Sequence, residues 1–343
     1  MSTVIASNVL ANGLRTEFAD TYSAIRNRQA DSRLGLIMDL SVTATNRDHD
    51  FAYFEAAPHM EYWRRGDSVP TKAMGSKTFN VPIYEWARRI PWSKFDRKDD
   101  QTQSLMEVAR MAGESASLLP ERFLFDLIIG TASTLPAVPT APDGAVMYSA
   151  TAGGADRFGV SGGNLLTGSG ITNIASVQND YYEAIEQFKQ FQDGQGQPLL
   201  SDETIDAGVC ILHAAEDTEV MEQTFLQQRQ GIGYTAAGIP ATGTPASGVL
   251  AVSSESNLVH DSSRNVQLWG TSRLATGDWY VFLKNPPKKA TFFLSREGVQ
   301  EFTSLEGDNN GDHTRTTGEE YVQWEERAGA GIALPYGTIK VNN

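Results

Sequence analysis

The sequence predicts an α+β fold, with helices and strands held in separate stretches. Three observations carry that expectation. Between Asp99 and Gly130, apolar or small residues recur at Leu105, Ala109, Ala112, Ala116, Leu119, Phe123 and Leu127, steps of three and four that share one helix face. Just before it, Phe79, Val81 and Ile83 alternate with polar residues and lead into Trp86, Ile90 and Trp92, a β-like run. From Val249 to the end the signals are again β-like, with strand candidates at Trp279–Leu283, Ala290–Leu294, Tyr321–Trp324 and Thr338–Val341.

In chain order, residues 1–50 open on an amphipathic helix from Gly13, with Leu14, Phe18, Tyr22 and Ile25 at helical spacing. Arg33 to Asp50 lacks a period and reads as an extended arm with little core of its own. Residues 51–98 form a hairpin. Pro82 and Pro91 lie inside its β-like run, and a proline cannot donate to a ladder, so the hairpin is exposed or edge-like and must lie against something else. The helix from 99 to 130 would span on the order of 45 Å. Asp100 and Gln103 resemble a capping box at its start, and Gly130 is its stop. Pro120 falls within the pattern and should kink the helix or split it in two.

Thr131 to Gly170 is rich in Gly, Ala, Ser, Thr and Pro, with turn chemistry at Asp143-Gly144, Gly153-Gly154 and Gly162-Gly163. Next comes a helix with Ile174, Val177, Tyr181, Ile185 and Phe188 on one face, ended by Asp193-Gly194. The apolar run Val209–Leu212 reads as a buried strand, and a second helix carries Val220, Met221, Phe225 and Leu226. That order predicts a small α/β lobe. Gly231–Gly248 reads as a mobile loop, and Glu306–Glu320 as a loop at the tip of a long hairpin.

Composition narrows the function. The chain has 343 residues, 40% apolar and 20% charged, the balance of a globular protein of two domains or one elaborate one. The net charge of −14 argues against a surface that grips free nucleic acid, since phosphate binding needs clustered Lys and Arg. Residues 51–98 are the exception: nine basic residues against five acidic ones give +4 and leave −18 for the remainder. A basic segment on an acidic body suits an arm laid on another copy, because complementary charge steers and registers contacts. Cys210 is the only cysteine, which leaves no internal disulfide and no thiolate metal cage. No run approaches the ~20 apolar residues that span a bilayer, and the N-terminus lacks a secretion-signal pattern, so a reducing cytoplasm is expected.

Catalytic chemistry finds little support. Asp308, Asn310, Asp312 and Glu319 fit positions 1, 3, 5 and 12 of a calcium loop, but His313 stands where that loop needs Gly, so an acidic hairpin tip is the better reading. The five histidines show no metal-ligand spacing. Cys210 lies in an apolar run, without an activating base. No nucleophile elbow, P-loop or dinucleotide fingerprint is present. No enzyme activity, metal or cofactor is expected.

Four features now stand in order: an arm, a basic proline-bearing hairpin, one very long helix, and an α/β lobe followed by terminal strands. This order resembles the tailed-phage major capsid proteins of the HK97-type fold, and more narrowly the Mu-like major head subunit family. FEAAPHMEYWRRGDSVP resembles the opening of that family's long hairpin, and TFNVPIYEWARRIPWSKFDRKDDQ its return. LPERFLFDLI resembles the apolar end of the helix, DGQGQPLL the start of the axial lobe, and YVQWEERAGAGIALPYG the last strand. The resemblance covers most of the chain past about residue 50.

It implies an N-terminal arm (1–50), an E-loop β-hairpin (51–98), a P-domain (99–170) with a spine helix (99–130), an α/β A-domain (171–265), and a return to the P-domain with terminal strands (266–343). It implies a shell of hexamers and pentamers around double-stranded DNA, held without sequence-specific contact, in a virion assembled in a bacterial cytoplasm. The expected contact residues between subunits are Trp63, Arg64, Arg65, Lys72, Lys77, Trp86, Arg88 and Arg89. Certain members cross-link a hairpin lysine to a neighbour, for which Lys72 or Lys77 is available. Fewer than a hundred residues precede the spine helix, which implies a separate scaffold protein; a portal and a decoration protein are the other expected partners, and no membrane. The alternatives are an encapsulin-like compartment and a calcium-binding or hydrolytic globular domain.

Overall fold

The computed structural model describes residues 7–30, 32–45, 48–54, 76–93, 104–227, 266–304, 317 and 319–343. Within these, the helix expected from Gly13 is present, while the stretch after it, 33–50, departs from the expected extended arm, so the N-terminal segment is built from regular elements. It forms a 24-residue helix α1 (Ser7–Ala30), a short helix α2 (Arg33–Ile37) capped by the Ser32 side chain, and a strand β1 (Met38–Thr43). Leu14, Phe18, Leu34, Ile37 and Met38 are all buried. No period was visible across 33–50 because each element there is too short to show one.

The long helical pattern is split, as Pro120 requires. Helix α3 (Ser104–Ser117) ends at Leu118, and α4 (Leu119–Ile129) begins with Pro120 in its first turn, where a missing amide costs nothing. At the break, the Ser117 carbonyl accepts instead from Gln29 Nε2 (2.9 Å). Gly130 closes α4 in the left-handed conformation, φ 74°. The capping pair Asp100 and Gln103 lies outside the described residues. Small residues on α3 let α1 approach closely: a Cβ on Gly113 would sit 2.9 Å from the Phe18 carbonyl oxygen.

Two sheets carry the rest. The first has the order β1-β11-β12-β4, with β4 at Tyr84–Ser93, β11 at Thr291–Ser304 and β12 at Glu319–Ile332. Strands β11 and β12 are antiparallel and 14 residues each, much longer than their apolar cores suggested. Among the described residues β4 pairs with β12 alone and forms the sheet's edge, which is where Pro91 can be tolerated. A separate ribbon joins β2 (Asp48–Phe54) to β3 (Ser76–Pro82), and Phe51 and Phe79 pack on Phe292 of β11.

The second sheet runs β7-β13-β10-β8-β9, with β7 at Leu165–Thr167, β8 at Val209–Ala214, β9 at Val266–Thr271, β10 at Trp279–Leu283 and β13 at Thr338–Asn342. The expected helix–strand–helix order of the lobe is present as α5 (Ile174–Gln190), β8 and α7 (Thr218–Glu222), with a one-turn helix α6 (Asp202–Asp206) before β8. The closing stretch 266–343 divides between the sheets: β9, β10 and β13 complete the lobe, while β11 and β12 join β1 and β4. Strands β8 and β10 are buried on both faces. Cys210, Leu212, Tyr280 and Phe282 meet α4, and Val209, Ile211, Trp279 and Val281 meet α5. This sheet is therefore the middle of three layers.

The Gly-rich stretch 131–170 is organised by one buried cation. The tiny strands β5 (Thr151–Ala152) and β6 (Ala155–Asp156) deliver Arg157, which is 2% exposed. Its guanidinium forks onto Asp143 (2.7 and 3.0 Å) and also donates to the carbonyls of Val146 and Met147 and to Asn164 Oδ1.

Candidate subunit-contact face

Helix α3 shows two faces. Ala109, Ala112 and Ala116 turn toward α1 and the first sheet. Val108 and Met111, one turn apart on the other side, remain 41% and 57% exposed. Single exposed apolar side chains are ordinary, but these two adjoin an apolar groove, and a contiguous apolar patch is a candidate contact face. They border a groove of about 500 Å³ between α3 and the β4–β12 edge. Phe18, Ala112, Ala116, Leu119 and Trp324 form its apolar floor. Trp86, Arg88 and Ile90 from β4, Arg122 from α4, and Glu325 and Glu326 from β12 line the rest.

The expected contact residues fall into three groups. Trp63, Arg64, Arg65 and Lys72 lie outside the described residues, as does the side chain of Lys77, whose backbone pairs with Tyr53 in the ribbon. Trp86 and Arg89 are engaged within the chain. The indole of Trp86 donates to the Ala328 carbonyl (3.0 Å) and packs on Phe123 at 5.1 Å between ring centres. Arg89 donates to Gln323 Oε1 (2.8 Å) and lies over the Tyr321 ring at 4.1 Å. Arg88 is exposed on the groove wall, without an ion pair among the described residues.

Val108, Met111 and Arg122 were not among the expected contacts. Val108 and Met111 fall off the predicted inward face of the helix, but so do Leu124, Phe125 and Ile128, which are buried, so spacing alone did not single them out.

At the inner end of the groove, α1 is pinned to β12. Phe18 stacks on Trp324 at 4.3 Å, 10° from parallel. Tyr22 donates to Glu326 Oε1 (3.3 Å), and Arg26 reaches the same oxygen at 3.5 Å while lying over the Phe293 ring. Burial, and then the Glu326 charge, push the Tyr22 hydroxyl up to about 12; burial pushes the Glu326 carboxyl above its ordinary range.

Two groups that could do chemistry, Cys210 and His213, are buried in the second sheet. Cys210 is buried, and desolvation pushes its thiol up to about 11, the opposite of activation. His213 Nδ1 donates to the Ala214 carbonyl (2.7 Å), and burial lowers its affinity for a proton. Among the described residues no three His, Cys, Asp or Glu side chains are grouped to hold a metal ion, and no helix is long and apolar enough to cross a membrane. Of the calcium-like register only Glu319 lies within the described residues; Asp308, Asn310, Asp312 and His313 do not.

No protein-family model matches this chain, and no curated protein does. Solved structures match across most of its length. The capsid of an empty GTA particle aligns with a TM-score of 0.54 at 10% identity, over 90% of this chain and 89% of that one. The mature capsid of bacteriophage PhiM1 aligns at 0.53 and 9%, over 89% and 84%. The capsid of the cyanophage P-SCSP1u aligns at 0.50 and 10%, over 90% and 86%. At such identities the likeness is one of fold, and the fold is the HK97-type α+β architecture of phage capsids.

Proposed function

We propose that this chain is the major capsid protein of a tailed phage, which assembles as hexamers and pentamers into an icosahedral shell around double-stranded DNA. The observation that carries the reading is the exposed apolar groove, walled by Arg88, on a fold shared with phage capsids. A monomer gains nothing by leaving Val108 and Met111 in water, whereas a neighbouring copy covers them. The basic stretch 51–98, apart from β4, which pairs with β12 of its own chain, is the segment lent to that neighbour, as the E-loop, and the α/β lobe is the part that meets its copies at the symmetry axes. The kinship to the Mu-like head subunits rests on the sequence motifs. The role is structural and not catalytic; a separate scaffold, a portal and a decoration protein are the partners, and assembly takes place in the host cytoplasm. The negative charge of the chain suits a wall that must not grip its genome.

Electron microscopy of the expressed protein tests this. Shells, tubes or capsomers are expected. A monodisperse monomer at high concentration refutes the reading, and closed shells that hold protein in place of DNA when isolated from their native source redirect it to a cargo compartment. Arg88→Glu should impair assembly while leaving the melting temperature near that of the parent, since Arg88 has no described partner within the subunit.

A further inference from the structure

Glu326 is an unusual residue to find under a helix. It sits on β12, 6% exposed, beneath the C-terminal half of α1. A buried carboxylate needs close and complete partners, or its ionised form costs more than its contacts return. Here the partners are incomplete. Tyr22 and Arg26 approach a single oxygen, Oε1, at 3.3 and 3.5 Å, both long beside the ~2.7–2.9 Å of a strong charge-assisted bond. Oε2 has no hydrogen-bond partner among the described residues.

The charged groups around it are few. From α1 it faces Tyr22 and Arg26; along the same groove lie Arg88 of β4, Arg122 of α4 and Glu325 of its own strand. Among the described residues Arg26 alone pairs with it. Much of the remaining docking surface of α1 is apolar, with Phe18 on Trp324 and Leu14 beside Trp92 and Val322; Gln29 donates to the Ser117 carbonyl (2.9 Å), and a second buried carboxyl on β12, Glu320, accepts from Trp92 Nε1 (2.9 Å). Glu326 is the β12 carboxyl that Tyr22 and Arg26 of α1 reach, and its surroundings change when α1 seats.

We propose that docking of the N-terminal helix is proton-linked, with Glu326 taking up a proton as α1 seats and releasing it when α1 lifts. The sign follows from burial. The docked state holds the proton more tightly than the open state, in which Glu326 meets water and ionises as an ordinary carboxyl does. The linked stability is therefore complete at acid pH and is lost as pH rises through the raised value of the docked state. Alkaline conditions loosen α1; acid conditions hold it down. That is the reverse of the common acid-labile ion pair, because desolvation outweighs Arg26 here. The inference does not depend on the chain being a capsid subunit.

Hydrogen exchange on the intact chain tests it, with rates corrected for the intrinsic pH dependence of exchange. Protection of residues 12–30 should fall between pH 4.5 and 8 by at least about threefold, with a ceiling of about tenfold per pH unit for one linked proton. Protection of α5, which packs on the other sheet, should hold steady and so separates lifting of α1 from global unfolding. Glu326→Gln should keep α1 protected across the range and abolish the trend. Arg26→Gln should deepen it, since the one compensating cation is gone. A flat profile in the wild type, an unchanged trend in Glu326→Gln, or equal loss in α5 overturns the proposal.

Discussion

Replacing Val108 and Met111 together by serine separates folding from association. Full burial of such a side chain is worth about 1.5–3 kcal/mol. With Met111 57% and Val108 41% exposed, roughly half of that remains to be gained by each when a neighbour covers the groove. For the pair this comes to about 1.5–3 kcal/mol per contact, or about a ten- to hundredfold rise in the subunit concentration needed for assembly. The subunit itself loses little. The side chains already face water, and serine costs a helix under about 1 kcal/mol for two positions. Light scattering as a function of concentration, with negative-stain imaging of the products, reads the first effect; a thermal melt of the unassembled subunit reads the second. Assembly at the parental concentration, or a melting temperature lowered as much as by a core truncation, would refute the assignment of this face.

Three further outcomes follow from individual side chains. Arg157→Met should destabilise the subunit by about 3–5 kcal/mol in denaturant titration, because it strands Asp143 and buried Asn164 with their partner removed. Gly163→Ala should lower stability by more than about 1 kcal/mol: the residue has φ +57°, and an added Cβ would lie 2.8 Å from the Ala150 carbonyl oxygen with no space to move. Cys210 should resist thiol reagents at pH 8 until the chain unfolds. The stability it contributes should decline as pH rises from about 9, where the exposed thiol ionises, toward about 11, since a raised acid value favours the fold only below that window; labelling of the native chain as fast as of the unfolded one would contradict this.

The helix from 104 to 129 shows where sequence reading succeeds and where it stops. Its inward residues were legible from spacing: Ala109, Leu119, Phe123 and Leu127 are all buried, and the split near Pro120 was foreseen from the missing amide. What those residues face was not. Ala109 and Ala112 pack under α1, whereas Phe123 and Leu127 serve the core between the two sheets. One periodic stripe thus belongs to two cores, because the break at Leu118 lets each half find its own partner. Arg157 was missed for a related reason. An arginine in a Gly-rich stretch reads as solvated, and only the folded turns bring Asp143 and Asn164 to it.

Periodicity, proline placement and charge are local, and so the sequence alone determined the kind and order of the longer periodic elements, the edge character of the strand with Pro91, and the concentration of basic residues in 51–98, while the short α2, β1 and β9 escaped it. Strand partners are a long-range matter. Nothing in Trp279–Leu283 or Thr291–Ser304 says that the first pairs with β8 and the second with β1 and β12. Tertiary structure decided that division, and with it the seating of α1 on β12 and the groove that leaves Val108 and Met111 in water. Each of these depends on which apolar faces meet, and every strand carries a face that more than one partner could cover.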